Sequence, residues 1–491
     1  MSMKRVFLLS LFVILFVIPA GASAAPRSLV AGLSGDDVVT LQNKLIAKGY
    51  LAAGNATGYF GPLTEAAVKK FQCAEDIACA GSSEGYGVAG PKTQAALAGI
   101  SGIPGNSSTL TGKYLTGPAT GPFEFSGWIP YWRSATGTAD TLPHLSKLTS
   151  VMPFGYTMKS DGTLADTAHL SEEPWTSFIA EAKKAKVRVI PTVMWGNGAS
   201  IHRILSDSKK RIALEDEIAK VVRENGFDGI DIDFEAKLPE TREYFSTFLK
   251  GLYQRMGKKW VYCTVEARMP LEDRYSPGAK LPLDVTVYAN DYAAMNKYCD
   301  RVEIMAYDQG TINVRLNAAR TAPYAPVADP GWVENVVRLA AQSIERNKLI
   351  LGVATYGYEY AVTPLADGSY RYKVLWPFNP RYATEIAGTL GITPMRNSAG
   401  EIGFSYDPKA LAALAPAGED KTETQQVIAE TSVAQNASTQ SSPTKPFNYL
   451  SWSDAQAIAD KVELARKLGV RGIAVFKFDG GEDPKMWEML R

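Results

Sequence analysis

Three carboxylates spaced two residues apart, Asp231, Asp233 and Glu235, stand in the string Phe227-Asp228-Gly229-Ile230-Asp231-Ile232-Asp233-Phe234-Glu235. Side chains of a β-strand alternate faces, so these three acids share one face while Ile230, Ile232 and Phe234 take the other. Like charges at such range cannot all ionise; protons are retained and at least one pKa rises. A carboxyl that keeps its proton near neutral pH is what general acid catalysis needs. Two other chemistries compete for the string. Calcium and magnesium also prefer carboxylates, but the glycine-punctuated loop of such sites is absent. A purely structural role is disfavoured because three acids on a core-facing strand are costly to bury. Asp228 has the opposite parity and is expected to hydrogen-bond backbone at the entrance of the strand.

A strand that presents acids on one face and large apolar residues on the other needs a closed interior and an outer apolar layer. Apolar strand patterns recur near Gly127-Trp128-Ile129, Ser150-Val151-Met152, Val187 to Val193, Gly229 to Phe234, Trp260 to Val265, Val302 to Tyr307, Leu349 to Val353 and Gly472 to Phe478. Helical patterns fall between most of them. Leu214, Ile218 and Val222 repeat at four-residue spacing and stop at Asn225-Gly226. Another helix is expected from Ser453-Asp454 through Ile458, Val462 and Ala465 to Gly469. Eight strand–helix repeats from about residue 123 to 491 fit an α/β chain folded as a (β/α)8 TIM barrel, with the acids climbing towards its C-terminal mouth. An open doubly wound sheet is the alternative, but no glycine-rich phosphate fingerprint follows the first strand.

At 491 residues the chain exceeds one ordinary core. Its apolar fraction of 46% and charged fraction of 21% are those of a globular protein. A formal charge of +1 gives no basic face of the kind nucleic acid demands. Lys4 and Arg5, the apolar run Val6 to Pro19 and Ala22-Ser23-Ala24 have the order of a secretory signal peptide over residues 1–24, too short to span hydrocarbon. Export, with no membrane anchor left after cleavage, is the expectation. Cys73 and Cys79 are close enough for a local disulfide; Cys263 sits in an apolar run and reads as a small buried hydrophobe, and Cys299 is unassigned. With three histidines and no ligand-like spacing, neither a metal nor another cofactor is expected. Residues 101–122 and about 415–445 are rich in small and polar residues and read as a linker and a mobile insertion.

Residues 28–100 read as short helices joined by glycine turns, with no acid/base cluster. Gly35-x-x-Val38-x-x-Leu41-Gln42, Gly49-Tyr50, Gly58-x-Phe60-Gly61-x-x-Thr64 and Val68-x-x-Phe71-Gln72 resemble the type 1 peptidoglycan-binding domain, and Gly85 to Thr93 echoes the Gly58 to Thr64 turn. A small all-α peptidoglycan-binding domain before the barrel is the expectation.

The string Asp228-Gly229-x-Asp231-x-Asp233-x-Glu235 resembles the signature of glycoside hydrolase family 18, the chitinases and endo-β-N-acetylglucosaminidases. Met305-Ala306-Tyr307-Asp308 resembles the family's sixth-strand motif. Tyr307-Asp308-Gln309 and Gly480-Gly481-Glu482-Asp483 are most similar to spore-cortex-lytic and other wall-directed members. The resemblance implies that Glu235 protonates the glycosidic oxygen while the substrate's own 2-acetamido carbonyl attacks, with net retention. It implies that Asp233 binds the acetamido N–H, Asp231 holds Asp233, and Tyr307 binds the acetamido oxygen. Met305, Asp308, Gln309, Phe476, Trp128 and Trp195 are the expected substrate-binding residues, with Tyr131 and Trp132 as further aromatic candidates. Phe476 stands where the family usually has a tryptophan, and Pro191-Thr192-Val193-Met194-Trp195-Gly196 replaces its serine-and-glycine third strand. The expected partner is peptidoglycan; chitin is the alternative substrate, and a wall-bound lectin the alternative class.

Overall fold

The computed structural model describes residues 28–52, 54–75, 77–79, 85–97, 114–282, 285–414 and 445–490. The expected signal peptide, residues 101–113 of the linker and all but the last residue of the 415–445 insertion lie outside them. The chain divides into two compact units, Met1–Leu110 and Thr111–Arg491.

Among its described residues the first unit holds three helices, α1 (Asp36–Ala47), α2 (Pro62–Ala74) and α3 (Pro91–Leu97). Val38, Leu41, Leu45, Val68 and Phe71 are the buried stripes of α1 and α2, and Leu29, Phe60 and Ala89 close the core. Each of the first two helices carries a buried glutamine that clamps a glycine turn. Gln42 donates to the Tyr59 carbonyl (2.8 Å) and Thr64 Oγ1 (2.9 Å) and accepts from Gly58 N–H (2.9 Å). Gln72 repeats this on Val88, Thr93 and Gly87 at 2.8, 3.0 and 2.8 Å. The echo between the two turns is thus a structural repeat of one clamp. Cys73 and Cys79 form a disulfide.

The second unit is a closed barrel of eight parallel strands: β1 (Glu124–Pro130), β2 (Ser150–Met158), β3 (Thr192–Trp195), β4 (Gly229–Phe234), β5 (Trp260–Glu266), β6 (Arg301–Met305), β7 (Leu349–Ala354) and β8 (Gly472–Phe476). β1 pairs with both β8 and β2, which closes the ring. Ile230, Ile232 and Phe234 face the helical layer, with Phe234 stacked on Phe248 at 5.4 Å. The helix Ser208–Glu224 buries Leu214, Ile218 and Val222, and Ala455–Leu468 is capped by Asp454 and ends at Gly469, whose φ of +66° is the left-handed C-cap. The third expected strand is broken: Arg188–Val189 and Thr192–Trp195 flank Pro191, which has no N–H for a ladder. Among the described residues no helix is long and apolar enough to cross a membrane.

Two features depart from the sequence reading. Cys263 and Cys299 form a disulfide, Cα atoms 6.0 Å apart, tying β5 to the residue after the helix Tyr292–Tyr298. Residues 114–122, grouped with the linker, lie against the barrel unit: Leu115 N–H donates to Ala341 and Ala119 N–H to Gly469, while Arg346 sits 3.8 Å from the Tyr114 ring centre.

Between β7 and β8 the chain builds a second, antiparallel sheet, in the order Tyr370–Phe378, Gly357–Pro364, Phe447–Trp452, Ile402–Tyr406, Met395–Arg396. Phe404, Leu450 and Trp452 pack it against the helix Pro380–Leu390.

Candidate active site

β4 carries the acids into the barrel as its alternation requires. Asp231 is fully buried and receives three donors: the Trp128 indole N–H (3.0 Å), Thr192 Oγ1 (2.8 Å) and Thr264 Oγ1 (2.8 Å). Asp233 lies one step higher, 3% exposed, and its Oδ1 is buried without a hydrogen bond among the described residues. Glu235 is the first residue beyond β4, half-buried, its N–H bonded to the Trp195 carbonyl at 2.8 Å. Its carboxyl has no hydrogen bond among the described residues. Ala236 then turns with φ +53°, and its carbonyl approaches Gly198 so closely that a Cβ there would stand 2.2 Å away. Glycine at 198 is what admits this turn. Asp228 accepts the Val189 N–H at 2.9 Å, in the backbone role its parity predicts.

A buried cation and a further acid sit behind Glu235. The Lys237 ammonium bonds the Phe234 carbonyl, lies 3.8 Å from Glu266 Oε2 and rests 4.7 Å over the Phe245 ring. Glu266, at the end of β5, accepts the Ala236 N–H (2.8 Å) and the Asn290 amide (2.9 Å). Beneath Asp231 lies Glu303 on β6, fully buried, with Thr264 Oγ1 at 3.3 Å and Oε1 without a partner among the described residues.

Burial pushes the Asp233 carboxyl well above the usual carboxylate range, and the charges of Glu235 and Asp231 add to the effect. Burial also raises Glu235; the Glu266 carboxylate adds to the rise and the Lys237 ammonium opposes it. Asp231 is raised by burial against the pull of its three donors. All three carboxyls of the column are thus shifted towards their protonated forms. Glu266 has the opposite fate: burial would raise it, but Lys237 and its hydrogen bonds hold it below the ordinary value. An ionised Glu266 keeps Glu235 protonated to higher pH. Glu266→Gln removes that charge, so the midpoint of the Glu235 carboxyl titration, followed by carbon-13 NMR, should move down the pH axis. A titration midpoint that stays in place or moves up contradicts this electrostatic role.

Tyr307 follows β6, 8% exposed, stacked nearly parallel on Phe476 with ring centres 5.8 Å apart. Gly352 on β7 leaves it room: a Cβ there would stand 3.0 Å from the Tyr307 ring. Burial, then the Asp233 charge, raises its phenol well above the usual range, so it stays a neutral donor. Met305 is half-buried at the end of β6, in register with Glu266. Asp308 is exposed at the rim, where Oδ1 accepts the hydroxyls of Tyr356 and Tyr358. A cleft of about 430 Å³ opens beside Phe476, lined also by Trp132, Asp308, Tyr356, Tyr358, Asn379 and Lys477.

Three expected substrate contacts are placed elsewhere. Trp128 is 2% exposed and its N–H is committed to Asp231, so it positions an acid and offers no sugar platform. Trp195 has the parity of the outward face of β3 and packs edge-on against Phe234, 5.3 Å away in the helical layer. Gln309 is fully buried; it donates to Tyr324 (3.0 Å) and accepts from Asp329 N–H (2.8 Å). Lys237, Glu266, Glu303, Thr192, Thr264, Tyr356 and Tyr358 escaped the sequence reading. Strand parity would have found Thr264, Glu266 and Glu303, which share the inward face of β5 and β6.

Residues 127–481 match the glycosyl hydrolases family 18, and residues 34–97 match a peptidoglycan binding domain. The cortical fragment-lytic enzyme of Bacillus subtilis (strain 168) is 25% identical over 352 residues, 70% of this chain and 67% of that protein. The uncharacterized glycosylase YvbX of the same organism is 27% identical over 201 residues, 40% of this chain and 53% of YvbX. The chain thus spans between about half and two thirds of the length of these relatives. Among solved structures, the spore cortex-lytic enzyme SleL of Bacillus megaterium QM B1551 aligns with TM-score 0.53 and 21% identity, covering 75% of this chain and 73% of that one. A class V chitinase from Pseudomonas fluorescens Pf-5 aligns with TM-score 0.54 and 19% identity over 75% and 98%. Both share the fold.

Proposed function

The chain belongs to the glycosyl hydrolases family 18, and we propose that it is a secreted, wall-bound enzyme cleaving β-1,4 N-acetylglucosaminyl bonds of peptidoglycan with retention. The observation that carries this reading is a column of buried acids ending in Glu235 at the mouth of a barrel whose chain also holds a peptidoglycan-binding domain. Glu235, free of hydrogen bonds, donates its proton to the glycosidic oxygen, then takes one from water as base. Asp233 meets the acetamido N–H with its unpaired Oδ1 and stabilises the charge that develops on the acetamido group. Asp231, fixed by Trp128, Thr192 and Thr264, orients Asp233. Tyr307, a neutral donor braced on Phe476, aims the acetamido oxygen at the anomeric carbon. Met305, Asp308 and Phe476 complete the wall around the reacting sugar, Phe476 as its apolar floor.

Digestion of purified sacculi and chitin side by side, by the full chain and by a chain lacking residues 28–100, tests the reading. Release of glycan fragments with N-acetylglucosamine at the new reducing end is expected from sacculi. The shortened chain should digest sacculi more slowly, because tethering raises local concentration only at an insoluble substrate. Digestion of chitin alone points to the other substrate; equal digestion of sacculi by both chains removes the anchor.

A further inference from the structure

Four charged side chains line the cleft beside Phe476: Arg133, Asp308, Lys477 and Asp479. Three are compensated within the protein. Asp308 accepts two tyrosine hydroxyls. Lys477 and Asp479 bond each other, and both bond Asn379 at 3.0 Å. The Arg133 guanidinium, exposed, has no ion pair and no hydrogen bond among the described residues. It belongs to the short turn Tyr131–Arg133 that leaves β1 at the barrel mouth. Its neighbour Trp132 is 50% exposed, braced edge-on by Tyr131 at 4.9 Å and by Phe154 at 5.9 Å. Phe476 joins the cleft to the reacting position, because the same ring carries Tyr307 on its face.

We propose that Trp132 and Arg133 form a subsite for an anionic sugar adjacent to the one whose bond is cut. The ring of Trp132 takes an apolar sugar face, and the Arg133 fork takes a carboxylate borne by that sugar. The inference rests on the proposed peptidoglycan activity and names how that substrate is told from chitin. In alternating glycans, N-acetylglucosamine at the reacting position puts N-acetylmuramic acid, with its lactyl carboxylate, next to it. Chitin carries no anion, so a lone guanidinium in the cleft favours only the muramyl glycan. Lysine is a poorer substitute, since it offers a point charge where the carboxylate needs two parallel donors.

The test compares kcat/KM on two tetrasaccharides: one from peptidoglycan stripped of its peptides, with free lactyl carboxylates, and chitotetraose. The readout is the ratio of the two constants. Arg133→Met should lower that ratio about tenfold, the usual scale for losing a charge-assisted hydrogen bond at a partly solvated site. Arg133→Lys should fall between. With the wild-type enzyme, methyl esterification of the lactyl groups should lower the ratio to the same extent, which keeps the test independent of how the variants fold. A ratio unchanged within about twofold in Arg133→Met, or on esterification, overturns the subsite. A wild-type enzyme that cleaves chitotetraose and leaves the muramyl glycan intact overturns the peptidoglycan reading, and the subsite with it.

Discussion

Glu235→Gln should lower kcat on a soluble chito-oligosaccharide by about 10²–10⁴-fold, the scale of general acid catalysis, with oligosaccharide binding retained. Glutamine keeps the size and polarity of the side chain and removes the transferable proton. The Glu235 carboxyl has no hydrogen bond among the described residues, so the substitution leaves no partner unsatisfied and the backbone anchor to Trp195 is untouched. The rest of the column has no substitute acid. Asp231 is spent on three donors, Asp233 is buried one step below, and Glu266 is held ionised beside Lys237. Binding measured by calorimetry, with turnover followed by product release, separates the two effects. Retained turnover above about a hundredth of wild type would assign the acid to another residue.

The barrel was legible because its signal is local: period-two alternation in the strands, four-residue spacing in Ser208–Glu224, and the aspartate cap and glycine stop of Ala455–Leu468. The acid column was legible for the same reason, since one strand carries it. What escaped arises between strands. Whether Trp128 stacks on a sugar or binds Asp231 depends on the pairing of β1 with β2 and β8, which its own neighbours in sequence do not encode. The Cys263–Cys299 bridge joins residues 36 apart, where no spacing rule operates. Trp195 differs in kind. Its parity on β3 opposes that of Thr192, which faces Asp231, so alternation already points it at the helices. The antiparallel sheet between β7 and β8 was hidden by an expectation of one strand per repeat. Its tyrosine-rich strand Gly357–Pro364 alternates clearly, and it supplies Tyr358 to the cleft.

The identity of the nucleophile gives the other large effect. Retention by two carboxylates needs an ionised partner across the sugar from the acid, about 5–5.5 Å away. Asp233 is ill suited to that role, because burial and the charges of Glu235 and Asp231 raise its carboxyl well above the usual range, so its ionised, nucleophilic form is reached only at a cost. Its unpaired Oδ1 suits a hydrogen bond to an acetamido N–H, and the neutral Tyr307 phenol suits the acetamido oxygen. In the proposed mechanism the attacking atom belongs to the substrate. A β-1,4 glucan oligomer that matches chito-oligosaccharide in length but lacks the 2-acetamido groups should therefore be cleaved at least about a thousandfold more slowly, since effective molarities of oriented internal nucleophiles exceed that factor. Early NMR of the products from the acetamido substrate should show the β-anomer first. A thiazoline mimic of the cyclised intermediate should bind more tightly than substrate. Comparable cleavage of the two oligomers, or initial release of the α-anomer, would return the nucleophile to the protein or to water.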